Sequence, residues 1–316
     1  MQQNIYIKCP LCGEDNTETI YTKGNLSKGL INVICKNCSL VYINPRPSEE
    51  EYLEFHKEEF LRDSHGLKDV SQFAEKQESN LRLKGKVYDF LEEYLKEGDN
   101  VLDIGCGFGT LLHIIQEKKH CNIWGIELSQ LDVEAGKKYY NLNLLNINFD
   151  DFASQPENKN KFDFIAMHHT FEHFPDPLEK LEFIKSILKD SGKVYIGVPN
   201  ILNVKKRPDV FFQIGHPFSY SLYTIGKVLE KSGFKIIKFS NRAAFPGGME
   251  MIISSSPAEK GIVFKKDDYR KVVEYVKEIE NKFSLFRRLR DRLFFWLPAR
   301  LRLKLSRAIN RLLKKI

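Results

Sequence analysis

The 316-residue chain predicts an α/β fold built on a seven-stranded, mostly parallel sheet with helices on both faces and an antiparallel hairpin at one edge. Three observations predict it. Between residues 81 and 256, short apolar runs alternate with segments of helical periodicity. The last two apolar runs follow each other with no helix between them. Ahead of this block lies a cysteine-rich module, residues 1–45, and a charged, helix-prone linker, 46–80; behind it lies a basic helical extension, 257–316.

The elements follow in order. A first helix is expected from about Leu81 to Lys96, where Val87, Phe90, Leu91, Tyr94 and Leu95 share one face and Gly98-Asp99 ends it. Strands are expected at Asn100–Ile104 and Asn122–Glu127, with helices at Thr110–Lys118 and Ser129–Tyr140. A third strand is expected over Leu144–Phe149 and a fourth over Phe162–Met167. Asp176-Pro177 reads as the cap and first turn of a helix running to Leu188. The fifth strand is Lys193–Val198, the next helix Tyr220–Lys231 ends at Gly233, and Lys235–Phe239 with Met249–Ser254 form the hairpin. In the N-terminal module, Ile31–Ile34 and Leu40–Ile43 lean toward strand, and Asn44-Pro45-Arg46-Pro47 breaks the pattern. Ser48 followed by Glu51 reads as a capping box.

The sharpest chemical signal is Asp103-Ile104-Gly105-Cys106-Gly107-Phe108-Gly109. A strand ends, glycines allow a tight turn with close backbone approach, and a helix begins whose N-terminus lies under the ligand. Glu127 ends the next strand, where a carboxylate can accept both ribose hydroxyls of a nucleoside. The spacing is GxGxG rather than the GxGxxG of dinucleotide sites, and Asp103 would face a pyrophosphate unfavourably. It suits a cofactor that carries an ammonium and a sulfonium. On these residues the stretch 81–255 resembles the class I S-adenosylmethionine-dependent methyltransferases, Rossmann-like in fold, with Asp103 to Gly109 as first motif and Glu127 as second. The resemblance implies S-adenosylmethionine as methyl donor. It puts cofactor contacts at Asp103, Gly105, Cys106, Gly107, Gly109, Glu127, Leu128 and His168, and an adenine contact among Asp150, Asp151 and Phe152.

After the fourth strand comes His168-His169-Thr170-Phe171-Glu172-His173-Phe174-Pro175-Asp176-Pro177. One helical turn would show His169, Glu172 and His173 on one side. The inverted zinc-protease motif HxxEH would need a long helix, which Asp176-Pro177 forbids. The run is similar to the ExxEH motif of ubiquinone-type O-methyltransferases, in which two Glu and a His bind a divalent metal; here His169 stands at the first Glu. The other readings are a base or acceptor-positioning role for His169, or simple bracing of the turn by Glu172 and His173. Downstream, Gly215-His216-Pro217-Phe218-Ser219-Tyr220 is similar to an acceptor-side loop. In sugar C-methyltransferases a Tyr, a Glu and a His of this loop form the base; His216 matches the His, while Gln213 and Gly215 occupy the other two places. O- or N-methylation is therefore favoured, with His169, Glu172, His173 and His216 as catalytic candidates.

Cys9, Cys12, Cys35 and Cys38 form two CxxC pairs, which in a reducing compartment favour a closed, structural zinc site over disulfides. The module resembles the amino-terminal zinc domains of sugar C-methyltransferases and of certain ribosomal RNA guanine methyltransferases. Only Lys23, Lys28 and Lys36 are basic between Cys9 and Cys38. Cys106 and Cys121 read as small buried residues.

Charge is uneven. Residues 287–316 carry 11 Lys plus Arg and one Asp, net +10, so a chain of +7 leaves residues 1–286 at −3. That argues against a broad nucleic-acid face on the body and makes an RNA methyltransferase the weaker alternative. Leu301, Leu305, Ala308, Ile309, Leu312 and Ile316 mark one face of a cationic helix, with Phe294, Phe295 and Trp296 ahead of Pro298. This suits an anionic membrane surface, with docking on the body or a partner second and RNA third. The apolar run Leu293–Ala299 is too short to span a bilayer, and Met1–Lys8 reads as no signal peptide, so a cytoplasmic location, or a peripheral one at the inner face of the membrane, is expected. The expected acceptor is a small molecule or a carbohydrate, free or lipid-linked; a non-catalytic scaffold is the other alternative.

Overall fold

The computed structural model describes residues 5–23, 30–47, 52, 69, 72–257 and 260–294. The Ser48–Glu51 capping box, most of the first 26 residues of the 46–80 linker and the amphipathic stretch from Phe295 to Ile316 lie outside the described residues.

Strands β4 (Asn100–Ile104), β5 (Asn122–Ile126), β6 (Leu144–Leu145), β7 (Phe162–His168), β8 (Leu188–Pro199), β10 (Lys235–Ser240) and β11 (Gly248–Ser254) form a seven-stranded sheet in the order β10-β11-β8-β7-β4-β5-β6. The pairs β4–β5, β5–β6, β4–β7 and β7–β8 are parallel; β11 is antiparallel to both β8 and β10. The expected edge hairpin is therefore present. The central β7 is buried at every position except Asp163, as a strand covered on both faces must be.

Helices α1 (Phe73–Leu91), α2 (Thr110–Lys119) and α3 (Gln130–Tyr140) cover one face, packing Val87, Leu91, Leu111 and Ile115 onto Val101, Phe164, Ala166, Tyr195 and Ile252. Helices α4 (Phe149–Ala153), α5 (Pro177–Ile187) and α7 (Leu222–Lys231) cover the other, with Leu181, Ile184, Val228 and Leu229 on Leu102, Ile165, Met167 and Ile196. Local chemistry sets the helix starts. Ser129 caps α3, Asp176 accepts from Glu179 N–H with Pro177 in the first turn of α5, and Ser221 with Thr224 closes a reciprocal capping box on α7.

Several elements differ from the sequence expectation, and the fifth strand starts at Leu188 rather than Lys193. The third strand shrinks to Leu144–Leu145, and Phe149 opens α4 instead, because Asn148 caps a new helix by accepting from Asp151 N–H. The first helix begins at Phe73, before the periodic stretch, since Phe73 is buried against Phe108 and Tyr140.

The cysteine-rich segment forms β1 (Thr17–Tyr21), β2 (Asn32–Cys35) and β3 (Val41–Ile43). These join β9 (Phe218–Ser219), a pair of residues from far downstream, in a four-stranded sheet of order β1-β2-β3-β9. Helix α8 (Tyr269–Phe294) lays Val272, Val273, Val276 and Ile279 against Ile20, Ile34 and Val41 of this sheet and against Phe211 of the short α6 (Pro208–Phe211). The N-terminal half of the C-terminal extension is thus docked on the protein itself.

Candidate functional site

The glycine loop leaves the C-terminal end of β4. Gly105, Gly107 and Gly109 all have positive φ, at 71°, 56° and 78°. They do different work. A Cβ on Gly105 would fall 2.5 Å from the Thr170 hydroxyl, and one on Gly109 would fall 2.5 Å from Leu142, so those two permit close packing. A Cβ on Gly107 would meet nothing within 4 Å, so the space beside Gly107 is open. The Thr170 hydroxyl donates to Ile104 O at 2.8 Å and ties the loop to the end of β7. The Cys106 thiol turns inward and packs under Gly125, so only its backbone can serve a ligand.

Glu127 accepts hydrogen bonds from the N–H groups of Gly107 (2.9 Å), Leu128 (2.7 Å) and Ser129 (3.0 Å). Burial raises its carboxyl pKa in spite of these donors. Asp103 is fully buried, and neither carboxylate oxygen has a partner. Burial pushes it up to about 7, with the positive charge of Lys84 pulling it down and Glu127 pushing it up. Lys84, on α1, is a residue that sequence reasoning missed. Its ammonium is electrostatically coupled to Asp103, Cys106 and Glu127, and burial lowers its pKa. No motif marks it; only the docking of α1 brings it there. His168, at the end of β7, is buried with Nε2 unpartnered.

The adenine-side candidates are placed less uniformly. The Asp150 carboxylate is held by Lys180 at 2.8 Å, and Asp151 accepts from Asn148 Nδ2 at 2.7 Å. The Phe152 ring belongs to the core beneath α4, packed against Phe162, because the short helix turns it inward. Asn146 donates to Glu127 O at 2.9 Å and was not singled out from the sequence.

The His169–His173 run is not the α-helical turn expected. His169 has φ 62°, and only Phe171–His173 forms a 3₁₀ turn. The four candidates still converge. His169 Nδ1 lies 2.8 Å from Glu172 Oε1, His173 Nδ1 donates to Gly215 O at 2.8 Å, and the rings of His173 and His216 are 4.9 Å apart. Burial would raise the Glu172 carboxyl, but the His169 hydrogen bond and the charges of His169, His173 and His216 outweigh it and hold it near 2. An ionised Glu172 accepts from His169 Nδ1–H and leaves His169 Nε2 as an acceptor. On His216 the roles reverse: Gln213 Nε2 donates to His216 Nε2 at 3.0 Å, so that lone pair is occupied. Burial first, then the charge of His173, lowers His216 to about 3, so it is neutral near pH 7. Glu172, His173 and His216 also present ligand atoms within 4.8 Å of one another, a spacing a divalent cation could use.

The four module cysteines converge in the same way. Cys9 Sγ lies 3.4 Å from Cys38 Sγ and Cys12 Sγ 3.5 Å from Cys35 Sγ, close to the edges of a thiolate tetrahedron around zinc. Each pair comes from a tight knuckle: Gly13 N–H donates to Cys9 O, and Ser39 N–H to Cys35 O. The Cys38 contact draws the Cys9 thiol down to about 5, while burial pushes Cys35 up to about 11.

Comparison with known proteins accords with this geometry. A family model described as a methyltransferase domain matches residues 73–238, just over half the chain, and its first residue is the first residue of α1. The ubiquinone biosynthesis O-methyltransferase of Coxiella burnetii is 28% identical over 106 residues, 33% of this chain and 45% of that protein. Its counterpart in Actinobacillus pleuropneumoniae is 30% identical over 110 residues, 33% of this chain and 47% of that one. The chain thus spans less than half the length of these relatives. Among solved structures, a SAM dependent methyltransferase from Aquifex aeolicus is similar at 24% identity, with 58% of this chain and 97% of that one covered and a TM-score of 0.44. The glycine loop, its acidic partners and a family match that runs from α1 into β10, over more than half of the chain, lead to one statement: the chain belongs to the methyltransferase-domain family.

Proposed function

We propose that the protein transfers the methyl group of S-adenosylmethionine to an oxygen or nitrogen of a small-molecule or carbohydrate acceptor, free or lipid-linked. One observation carries this reading: a fully buried Asp103 whose two oxygens have no hydrogen-bond partner, on the strand that leads into the loop where the space beside Gly107 is open. Unpaired buried acceptors are costly and suit a cationic ligand, not a pyrophosphate. The sulfonium supplies an already activated methyl group, so the protein's tasks are alignment and removal of one proton. Glu127 would accept from ribose hydroxyls, and Lys84 would meet the carboxylate of the methionine end. His169 would take the proton at Nε2, oriented by Glu172 through Nδ1, while His173 and His216 fix the acceptor loop.

Calorimetry with S-adenosylmethionine, S-adenosylhomocysteine, NADH and FAD tests the cofactor, followed by a screen of sugar, lipid and RNA acceptors corrected for donor hydrolysis. Binding of the dinucleotides with no response to the adenosyl ligands would end the reading. His169→Gln is expected to lower turnover at saturating cofactor by about 10²–10⁴-fold. His216→Gln should lose less, because its lone pair is already occupied; equal turnover in His169→Gln and the wild type would remove His169 from the mechanism. Lys84→Met should weaken S-adenosylmethionine about tenfold or more, as loss of a charged hydrogen bond does, yet bind decarboxylated S-adenosylmethionine as the wild type does. Equal losses for both ligands would place Lys84 away from the carboxylate.

The cysteine cluster fits structural zinc, which would couple the N-terminal module to the acceptor loop through β3 and β9. The segment 285–316, rich in Arg and Lys, is assigned to an anionic membrane surface. Vesicles containing phosphatidylserine should sediment the full chain and not a form ending at residue 284; equal sedimentation of both forms would dismiss that assignment.

A further inference from the structure

Three residues on neighbouring strands form a buried hydrogen-bonded file that the chemistry above does not use. His168 Nδ1 lies 3.0 Å from Tyr195 Oη, and Tyr195 Oη lies 3.3 Å from Glu250 Oε2. His168 ends β7, Tyr195 is in β8 and Glu250 in β11, and none is more than 5% exposed. Register explains the juxtaposition. Asp103 pairs with Ala166, Ala166 with Tyr195 and Tyr195 with Ile252; one pleat further on, His168 pairs with Gly197 and Gly197 with Glu250. Paired residues point to the same face, so Asp103, His168, Tyr195 and Glu250 all rise on the face covered by α1. Gly197 makes the crossing possible. A Cβ there would fall 2.6 Å from Tyr195 Oη and 3.0 Å from His168 Nδ1. The inner end of the file, His168 Nε2, is buried and unpartnered, and the phenyl ring of Phe245 stands edge-on to the imidazole at 5.4 Å.

We propose that Glu250, acting through Tyr195, fixes the tautomer of His168 so that Nε2 stands as a bare acceptor for the ammonium of a ligand seated beside Asp103. The polarity of the file follows from one charge. An ionised Glu250 can only accept, so Tyr195 donates its O–H to it; the tyrosine oxygen then accepts from His168 Nδ1–H, and Nε2 keeps its lone pair. A protonated Glu250 donates to Tyr195, Tyr195 donates to Nδ1, and Nε2 carries the proton. Reversal moves one hydrogen along each link, and the imidazole stays neutral in both states. Burial, with the nearby charges of Lys84 and His169, holds the His168 pKa well below its usual value, which keeps it neutral. An N–H at Nε2 would face an ammonium donor with another donor, so ligand affinity falls when Glu250 gains its proton.

The groups facing this file are few. Around Glu250 they are Tyr195, Lys238 of β10 and the Ala244 N–H; burial raises the Glu250 carboxyl to about 7 against these. Asp103 and Glu172 act on Tyr195, and Lys84 of α1 with His169 acts on His168. Two unpartnered acceptors on one sheet face, Asp103 and His168, with Lys84 opposite, match the ammonium and carboxylate of an amino-acid end. The inference rests on the methyl-donor reading for the identity of that ligand, but not for the tautomer.

The test uses the full chain labelled with ¹⁵N-histidine, with His168 assigned by His168→Gln. Nitrogen chemical shifts at pH 8.5 should report the Nδ1–H tautomer in the wild type and the Nε2–H tautomer in Glu250→Gln, whose amide donates to Tyr195. In the wild type the same conversion should accompany a fall in pH through the titration of Glu250, which serves where the variant does not fold. Calorimetry should show Glu250→Gln binding S-adenosylhomocysteine about tenfold more weakly while binding 5′-methylthioadenosine, which lacks the ammonium, unchanged. An Nε2–H tautomer in the wild type at pH 8.5, or one indifferent to Glu250→Gln, would overturn the proposal. Failure of the wild type to bind either nucleoside would instead count against the methyl-donor reading and leave the nitrogen shifts to judge the tautomer.

Discussion

Asp103→Asn is expected to weaken S-adenosylmethionine binding by roughly 10- to 150-fold, the loss of a charged hydrogen bond worth about 1.5–3 kcal/mol, while raising the thermal stability of the empty protein. The two effects share one cause. Asp103 lies fully buried with neither oxygen partnered, a state that is unfavourable until a cation arrives. Asparagine keeps the shape and removes the charge. The pH dependence is set by the carboxyl's pKa, near 7 in the folded protein against 3.8 in a free side chain, raised by burial and by Glu127 against the pull of Lys84. Below pH 3.8 the group is neutral in both folded and unfolded chains, so the variant gains nothing from its missing charge. Between pH 3.8 and 7 the folded protein holds a proton that the unfolded chain has released, and the wild type loses ground as pH rises. The stability advantage of Asp103→Asn should therefore be absent at pH 3.5, grow through this window and level off above pH 7. Melting curves of ligand-free protein across that range measure it. An advantage independent of pH, or a variant that binds the cofactor normally, would contradict the buried-charge account. A ligand site that stores instability in this way is the usual trade of stability for function.

Removal of metal from the cysteine cluster should be the larger structural effect. A chelator under mildly denaturing conditions is expected to release about one zinc per chain, as four thiolates hold one tetrahedral ion. The unfolding midpoint should then fall by about 5 °C or more, since zinc bound only by the folded state contributes directly to folding free energy. The consequence should reach the catalytic loop. Ile43 N–H donates to Pro217 O at 3.0 Å, and Val41 and Tyr42 pair with Ser219 and Phe218, immediately after His216. Cys35→Ser, which removes a ligand at the end of β2, should therefore lower both the midpoint and turnover, with cofactor affinity changed much less. Elemental analysis, melting curves and calorimetry separate these outcomes. A fully metal-free chain with an unchanged midpoint would show that the cysteines need no ion. More than one bound equivalent in the wild type, with the excess lost in Glu172→Gln, would put a second cation among Glu172, His173 and His216.

The alternation of strand and helix was legible because it depends on near-neighbour patterning. Strand β4 ran as read, from Asn100 to Ile104, and the cap at Asp176 was visible in the residues themselves. The third strand was misjudged because Leu144–Phe149 is apolar enough for either state, and the Asn148 cap settles the matter for a helix at Phe149. The glycine loop and Glu127 could be read because their spacing is local to two strand ends. Gly197 in a buried strand was a signal of close approach that went unread, and it would have led to Tyr195 and His168.

What the sequence determined by itself is therefore the alternation of strand and helix in the α/β block, the four-cysteine cluster and the glycine turn with its two carboxylates, since each depends on residues close together in the chain or on ligand chemistry that admits few alternatives. Only the tertiary structure decided that Lys84 comes near enough for its charge to act on Asp103, that His173 meets His216 across a gap of more than 40 residues, and that β9 joins the cysteine-rich sheet. Those pairings come from the docking of α1 and from strand register, and both are settled by packing across the sheet, which no local pattern encodes.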